Sequence, residues 1–396
     1  MAPASSDLTS SGVAPSRLVA GCMSGTSLDG VDVALARFSG SERSIRVETL
    51  GSFFTPYPDS LRTGRLLLAD PSTDSETLAS RRGDLNAELA SVYARAVRSA
   101  MNEAAIPLDQ LDAVGNHGQT VLHAPERGVT VQLGDPCHMA DLLQTTVVGD
   151  FRQADVALGG EGAPLVPYMD WALFTHDVEH RLLLNLGGIA NVTSLPPECD
   201  RDEVLAFDTG PANMLLDALV QKLTGQPMDR DGALAARGTP DPQVVEALLS
   251  HSYFHRHPPK STGRELFSAA YVKAFLDLTT HLRVEDRLAT AAEVTVQSVA
   301  RAIRDFIPGR PVRMWVSGGG VHNRSVMAGL QQALTPVVVE PLSTIGLDPD
   351  AKEALCFALL AHEALNGVAT GMPSVTGARG RAFSGKICKP GTTGKA

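Results

Sequence analysis

The chain has 396 residues, 43% apolar and 20% charged, with 34 Lys and Arg against 44 Asp and Glu for a net charge of −10. That length holds two domains of ordinary size, and a mean hydropathy of zero is that of a globular protein. The acidic balance gives no footprint for nucleic acid, and no apolar run approaches the roughly 18 residues of a membrane span.

Residues Met1–Ser16 form a Ser/Ala/Pro stretch without a secretion-signal pattern, read as a disordered tail, and Cys388–Ala396 read as a flexible one. Five scattered cysteines (Cys22, Cys137, Cys199, Cys356, Cys388) lack C-x-x-C spacing, which fits reduced thiols in a cytoplasmic protein. Two apolar runs, Arg17–Met23 and Val31–Phe38, predict strands around the polar turn Ser24-Gly-Thr-Ser-Leu-Asp-Gly30. A third strand is expected over 44–54, and a long amphipathic helix over about 74–105. Leu111–Val121 reads as a short buried strand ending in the polar tip Asn116-His-Gly-Gln-Thr120. A strand at 129–133, a helix at 136–143 and a strand at 145–148 close this first α/β half. Gly159-Gly-Glu-Gly162 marks a loop, and Pro164 predicts the start of a helix running to Phe174.

From His180 the pattern restarts. Arg181–Leu186, the turn Gly187–Asn191 and Val192–Leu195 predict another strand-turn-strand, and Val204–Phe207 a strand ending in Asp208-Thr-Gly-Pro-Ala-Asn213. Helical patterns follow at 214–220, 241–250, 268–282 and 284–306. The strand Val312–Ser317 runs into Gly318-Gly-Gly-Val-His-Asn323 and a helix to Leu334. A strand at 337–341 and a helix at 350–366 finish the half. Two halves, each opening strand-turn-strand, suggest a duplicated topology with a ligand cleft between them.

Four loops lie at strand ends, where α/β proteins place ligands: 25–32, 116–120, 208–213 and 318–323. The first can cradle phosphates with glycine backbone and hydroxyl donors, or it is an ordinary polar hairpin. Neither a Walker A motif nor G-x-G-x-x-G is present. Asp208, after an apolar strand, can serve as a general base beside a helix N-terminus; its plainer reading is an N-cap. Gly318–Gly320 lets backbone lie flat against a planar group, or simply makes a tight turn. His117, His123, His138 and His176 lack metal-ligand spacing and read as polar loop or surface residues. Asp229-Arg-Asp-Gly232 and Lys260-Ser-Thr-Gly-Arg-Glu265 are solvated loops or sugar-positioning segments, and Glu353 reads as a surface charge.

Together the loops resemble one family. Met23–Asp32, Asn116–Thr120, Asp150-Phe-Arg152, Asp155, Gly159–Pro167, Asn185-x-Gly-Gly188, Phe207-Asp-x-Gly-Pro211, Asp229–Gly232, Pro259–Glu265 and Gly318–Gly320 are similar, in order, to the motifs of anhydro-N-acetylmuramic acid kinases. The resemblance implies an α/β fold of two RNase-H-like domains of the actin-like ATPase kind around an ATP and substrate cleft. The expected division is residues 17–150 and 151–380, with about 380–390 returning to the first domain. It implies that ATP and water convert 1,6-anhydro-N-acetylmuramic acid to N-acetylmuramic acid 6-phosphate in cell-wall recycling. Residues Gly25, Thr26, Ser27, Leu28, Asp29, Gly30, Val31 and Asp32, with Gly210, would hold ATP; Gly318, Gly319 and Gly320 would lie against its nucleoside. Asp208 would be the catalytic base. Arg152, Asp155, His117 and Glu353 would contact the sugar. Mg²⁺ is implied without a nameable ligand, as is a homodimer, with neither nucleic acid nor membrane as partner. Glu161 stands where the family pattern has Gln. The alternatives are a kinase of the same fold for another sugar and a non-catalytic nucleotide switch.

Overall fold

The computed structural model describes residues 16–25, 29–58, 61, 75–263 and 265–391. In the first sheet, β1 (Arg17–Met23), β2 (Gly30–Ser39) and β3 (Arg46–Pro56) make an antiparallel meander, and β4 (Ala113–Asn116) lies parallel to β1 on its other edge. The chain then leaves as a hairpin of β5 (Gln119–Ala124) and β6 (Val129–Leu133) before β7 (Thr146–Gly149) resumes the sheet parallel to β4. The second sheet repeats the plan. β8 (Arg181–Leu186), β9 (Ile189–Leu195) and β10 (Leu205–Pro211) form a meander, β11 (Arg313–Ser317) runs parallel to β8, and β12 (Val338–Pro341) parallel to β11. The spatial orders β3-β2-β1-β4-β7 and β10-β9-β8-β11-β12 are the same RNase-H-like order used twice.

The apolar runs are long because these strands are covered on both faces. Leu182, Leu184 and Leu186 of β8 point into the core of the second half, while Leu183, on the opposite pleat, joins a core shared with the first. β1 does the same: Leu18, Ala20 and Cys22 face the first half's own core, and Val19 the shared one. The shared core takes in the helices Val166–Phe174 and Lys352–Leu365. The second of these lies directly on β1 and β4. A Cβ at Gly21 would collide with the Ala354 carbonyl, and one at Gly115 with that of Phe357. Although its position in the chain put it with the second half, this helix therefore packs on the first sheet.

Other expectations need correcting. The helix expected from Pro164 begins at Val166, with Pro167 in its first turn. A short helix, Gln153–Ala157, stands before the Gly-rich loop. Where a tail was expected to start, β13 (Lys386–Cys388) pairs antiparallel with β7. There Cys388 forms a disulfide with Cys137, so the reading of five reduced thiols fails; Cys22, Cys199 and Cys356 are free and buried. Spacing could not show a bond across 251 residues of sequence. Among the described residues no helix is long and apolar enough to cross a membrane.

Candidate active site

The first polar loop is anchored from beneath. Ser24, 2% exposed at the end of β1, donates to the Gly30 carbonyl and to Gln119 Oε1, both at 2.8 Å. The Tyr57 hydroxyl donates to Ser24 Oγ at 2.6 Å and meets the Tyr93 hydroxyl at 3.1 Å. Gln119 thus joins two of the four loops, a pairing across 95 residues that the sequence does not show. Thr26, Ser27 and Leu28 lie outside the described residues. Gly30 to Asp32 belong to β2 rather than to a loop. Val31 is fully buried in the first core, so only its backbone could meet a ligand. Asp32, on the opposite pleat, faces the start of the last helix. Burial, then the negative charges of Asp29, Glu353, Asp350 and Asp348, push its carboxyl up to about 6.

Segment 348–353 is where the halves meet. Asp348 accepts from Ser52 of β3, the Pro349 carbonyl accepts from the Gly318 N–H at 2.9 Å, and Asp350 pairs with His322 at 2.8 Å. Lys352 is buried against Asp170 at 2.7 Å and fixes this helix start. Glu353 is no surface charge. Its carboxyl is pushed up by burial, opposed by the positive charges of Arg152 and Lys352.

Arg152 connects three of the expected sugar residues. Its Nε and an Nη reach His117 Nε2 at 3.1 and 2.9 Å, and its other Nη donates to the Gly162 carbonyl at 2.8 Å. His117 is buried against Phe357 and its Nδ1 meets the Gly118 carbonyl at 2.7 Å. Burial and the Arg152 charge hold its pKa well below the usual imidazole value. The neutral ring carries its proton on Nδ1 and accepts from Arg152 at Nε2, so the surface reading of His117 is corrected. Asp155, 1% exposed, accepts from the Gly162 N–H at 2.7 Å and from Thr376 Oγ1 at 2.8 Å. One oxygen is therefore committed to the Gly-rich loop and the other to Thr376 of the short helix Pro373–Thr376.

Asp208 sits on β10 at a bulge between Asp208 and Gly210. Its Oδ2 accepts from the Thr262 N–H at 2.8 Å. Its N–H donates to the Lys260 carbonyl at 3.2 Å and its own carbonyl accepts from the Tyr253 hydroxyl at 2.7 Å. Burial raises the carboxyl to about 6, opposed by the Thr262 N–H and the Lys260 charge, while Glu265 adds to the rise. The N-cap reading is excluded, since Ala212 caps the helix Asn213–Thr224. The first amides of that helix are not open to phosphate either: those of Asn213 and Met214 donate to the Gly187 and Gly188 carbonyls at 3.0 and 3.1 Å. The hydrogen bonds of Asp208 run within the second half, and those of the Gly25 loop within the first.

The sequence profile of anhydro-N-acetylmuramic acid kinase matches residues 17–390. The chain belongs to this family. It is 48% identical over 389 residues to the anhydro-N-acetylmuramic acid kinase of Salinibacter ruber, covering 95% of this chain and 97% of that one. To the protein of that name from Gloeobacter violaceus it is 45% identical over 372 residues, covering 92% and 96%. Among solved structures, the activator of the 2-hydroxyisocaproyl-CoA dehydratase from Clostridium difficile is similar over 89% of this chain and 98% of that one, at 10% identity and a TM-score of 0.44.

The remaining glycines of this family member have structural reasons of their own. Gly318 has φ +81°, and a Cβ there would stand 2.5 Å from Asn185 Oδ1 at the end of β8. A Cβ on the exposed Gly319 would come 3.6 Å from Asn213 Nδ2, so the fourth loop meets the end of the third. Gly320 is buried in the turn that leads to Asn323, which caps the helix Arg324–Leu334. Gly210 is buried, paired with Ala190 and packed on Ser298. Asp229 accepts from the Leu234 and Ala235 amides at 2.8 and 2.9 Å. Among the described residues, no three His, Cys, Asp or Glu side chains converge as a metal cage. The carboxylates of Asp29, Glu353, Asp350 and Asp348 lie near enough to Asp32 to act on it through their charge.

Proposed function

We propose that this chain is an ATP-dependent kinase that hydrolyses and phosphorylates 1,6-anhydro-N-acetylmuramic acid to N-acetylmuramic acid 6-phosphate. Family membership supports the substrate, and the observation that carries the chemistry is Asp208, a carboxylate whose pKa is raised to about 6. Such a group is ionised at neutral pH yet more basic than an exposed aspartate, which suits a general base.

In this reading Asp208 removes a proton from a water molecule, whose oxygen attacks the anomeric carbon. The bond from that carbon to the bridging oxygen breaks, and the freed 6-oxygen displaces ADP from the γ-phosphorus. The Thr262 N–H fixes the carboxylate, leaving Oδ1 as the oxygen to take the proton. The loop beginning at Gly25 and the Gly318 turn line the nucleotide side. Arg152 and Glu353 face the sugar, with His117 and Asp155 holding Arg152 and the Gly-rich loop in place. Asp32 would hold a bound Mg²⁺, which supplies charge neutralisation for the transferring phosphoryl group.

The need for ATP supports a cytoplasmic location, and the substrate a place in cell-wall recycling; a homodimer follows the family resemblance. The test is incubation with ATP, Mg²⁺ and the anhydrosugar in ¹⁸O-water, quenched before the reducing end exchanges. A 6-phosphate with heavy oxygen on the anomeric carbon and none in the ester bridge is expected. ATP consumption with the anhydrosugar untouched would move the assignment to another sugar. No ATP consumption would favour the nucleotide switch.

A further inference from the structure

Lys260 is 5% exposed. Its ammonium stands over three aromatic rings, 4.4 Å from the centre of Phe306, 5.0 Å from Tyr253 and 5.7 Å from Phe207. Its hydrogen bonds run to the Tyr253 and Phe254 carbonyls at 3.4 and 3.3 Å, both long. A cation in this setting is desolvated and incompletely compensated, and its pKa is pushed down to about 8 by burial and by Arg256, against the pull of Asp305 and Asp208.

Three bonds show what this cation touches indirectly. The Lys260 carbonyl receives the Asp208 N–H, Thr262 two residues on donates to the Asp208 carboxylate, and the Tyr253 hydroxyl donates to the Asp208 carbonyl. Segment 253–262 therefore grips Asp208 at three points, and the Lys260 side chain closes that segment back on its own start. We propose that Lys260 is a positioning residue for Asp208, tying together the segment that grips it and placing a buried positive charge on the side of its carboxylate. The proposal rests on the assigned role of Asp208 and adds a group that nothing in the motif spacing distinguishes from a solvated lysine. The other charged group facing Asp208 is Glu265, which opposes Lys260.

The experiment is a titration of the Asp208 carboxyl carbon by ¹³C NMR in the ligand-free protein, assigned with Asp208→Asn, alongside the pH profile of kcat/KM. In Lys260→Gln, which keeps polarity and most of the length, the Asp208 titration and the acid limb of the profile should both move to higher pH. Turnover at neutral pH should fall about tenfold or more with the KM for ATP little changed. Lys260→Arg should keep the wild-type titration. A Lys260→Gln protein that loses turnover with an unmoved titration would reduce Lys260 to a packing role and overturn the proposal. Should Lys260→Gln not fold, the wild type decides: the Asp208 signal must show a second inflection near pH 8 as Lys260 loses its proton, and its absence overturns the proposal equally. A wild type inert towards the anhydrosugar would count against the substrate alone, because the titrations need no substrate.

Discussion

Asp208 is held in an environment that costs stability and yields basicity. Its carboxyl titrates at about 6 rather than 3.8, so the folded protein holds that proton more tightly than the unfolded chain does between those values. Stability from this group is accordingly present at low pH and lost as pH rises through about 6. Asp208→Asn should therefore be more stable than the wild type at pH 7.5, by on the order of 1–3 kcal/mol at about 1.4 kcal/mol per pKa unit. Turnover should fall at least about a hundredfold with nucleotide affinity retained. Denaturant melts, calorimetric ATP binding and turnover on one preparation check the set; equal stability would mean that Thr262 and Lys260 already offset the burial. Asp32 is raised for a partly different reason, the carboxylates around it, and a bound cation would relieve that repulsion. Asp32→Asn should thus raise the Mg²⁺ concentration for half-maximal turnover, by about tenfold. An unchanged Mg²⁺ dependence would move the metal elsewhere.

At the scale of elements, the helix Lys352–Leu365 transmits the first sheet's geometry to the site, because it rests on bare backbone at Gly21 and Gly115. Gly115→Ala should force it off β4 and cost about 1–3 kcal/mol. Since Glu353 and segment 348–350 ride on that helix start, the KM for the sugar should rise as well. A Gly115→Ala crystal structure with an unmoved helix would refute the argument. The strands and helices were legible in sequence since apolar alternation, helical spacing and turn glycines are local signals, and Asp208 stood out as a polar residue ending an apolar strand. The shell around it was not. Ser24–Gln119, Arg152–His117 and Lys260 over its rings are made by residues far apart in sequence or by burial that composition cannot show. Glu353 was misread for the same reason: a carboxylate in the first turn of a helix is ordinarily solvated, and only the packing of that helix against the first sheet covers it.

For the whole molecule, the two duplicated sheets keep separate cores and share a third, and the chain ends by returning to the first sheet as β13. A three-residue strand at a sheet edge is a weak attachment by itself. Here Cys388 on that strand is bonded to Cys137 in the first turn of the helix Pro136–Leu143. The closure spans 251 residues, so it constrains the unfolded chain strongly, and its loss should cost about 2–4 kcal/mol in the oxidised protein. Cys388→Ser should show that loss in denaturant melts. Its turnover should stay near wild type, since β13 pairs with β7 and not with the strands that carry Asp32 or Asp208. Thiol titration of the denatured wild type checks the premise: three of five cysteines should react before reduction and all five after it. Five blocked cysteines in protein isolated under thiol-blocking conditions would mean that the bond does not form where the enzyme works, as expected of a reducing compartment. The edge strand would then be held by its ladder alone, and Cys388→Ser should leave stability unchanged.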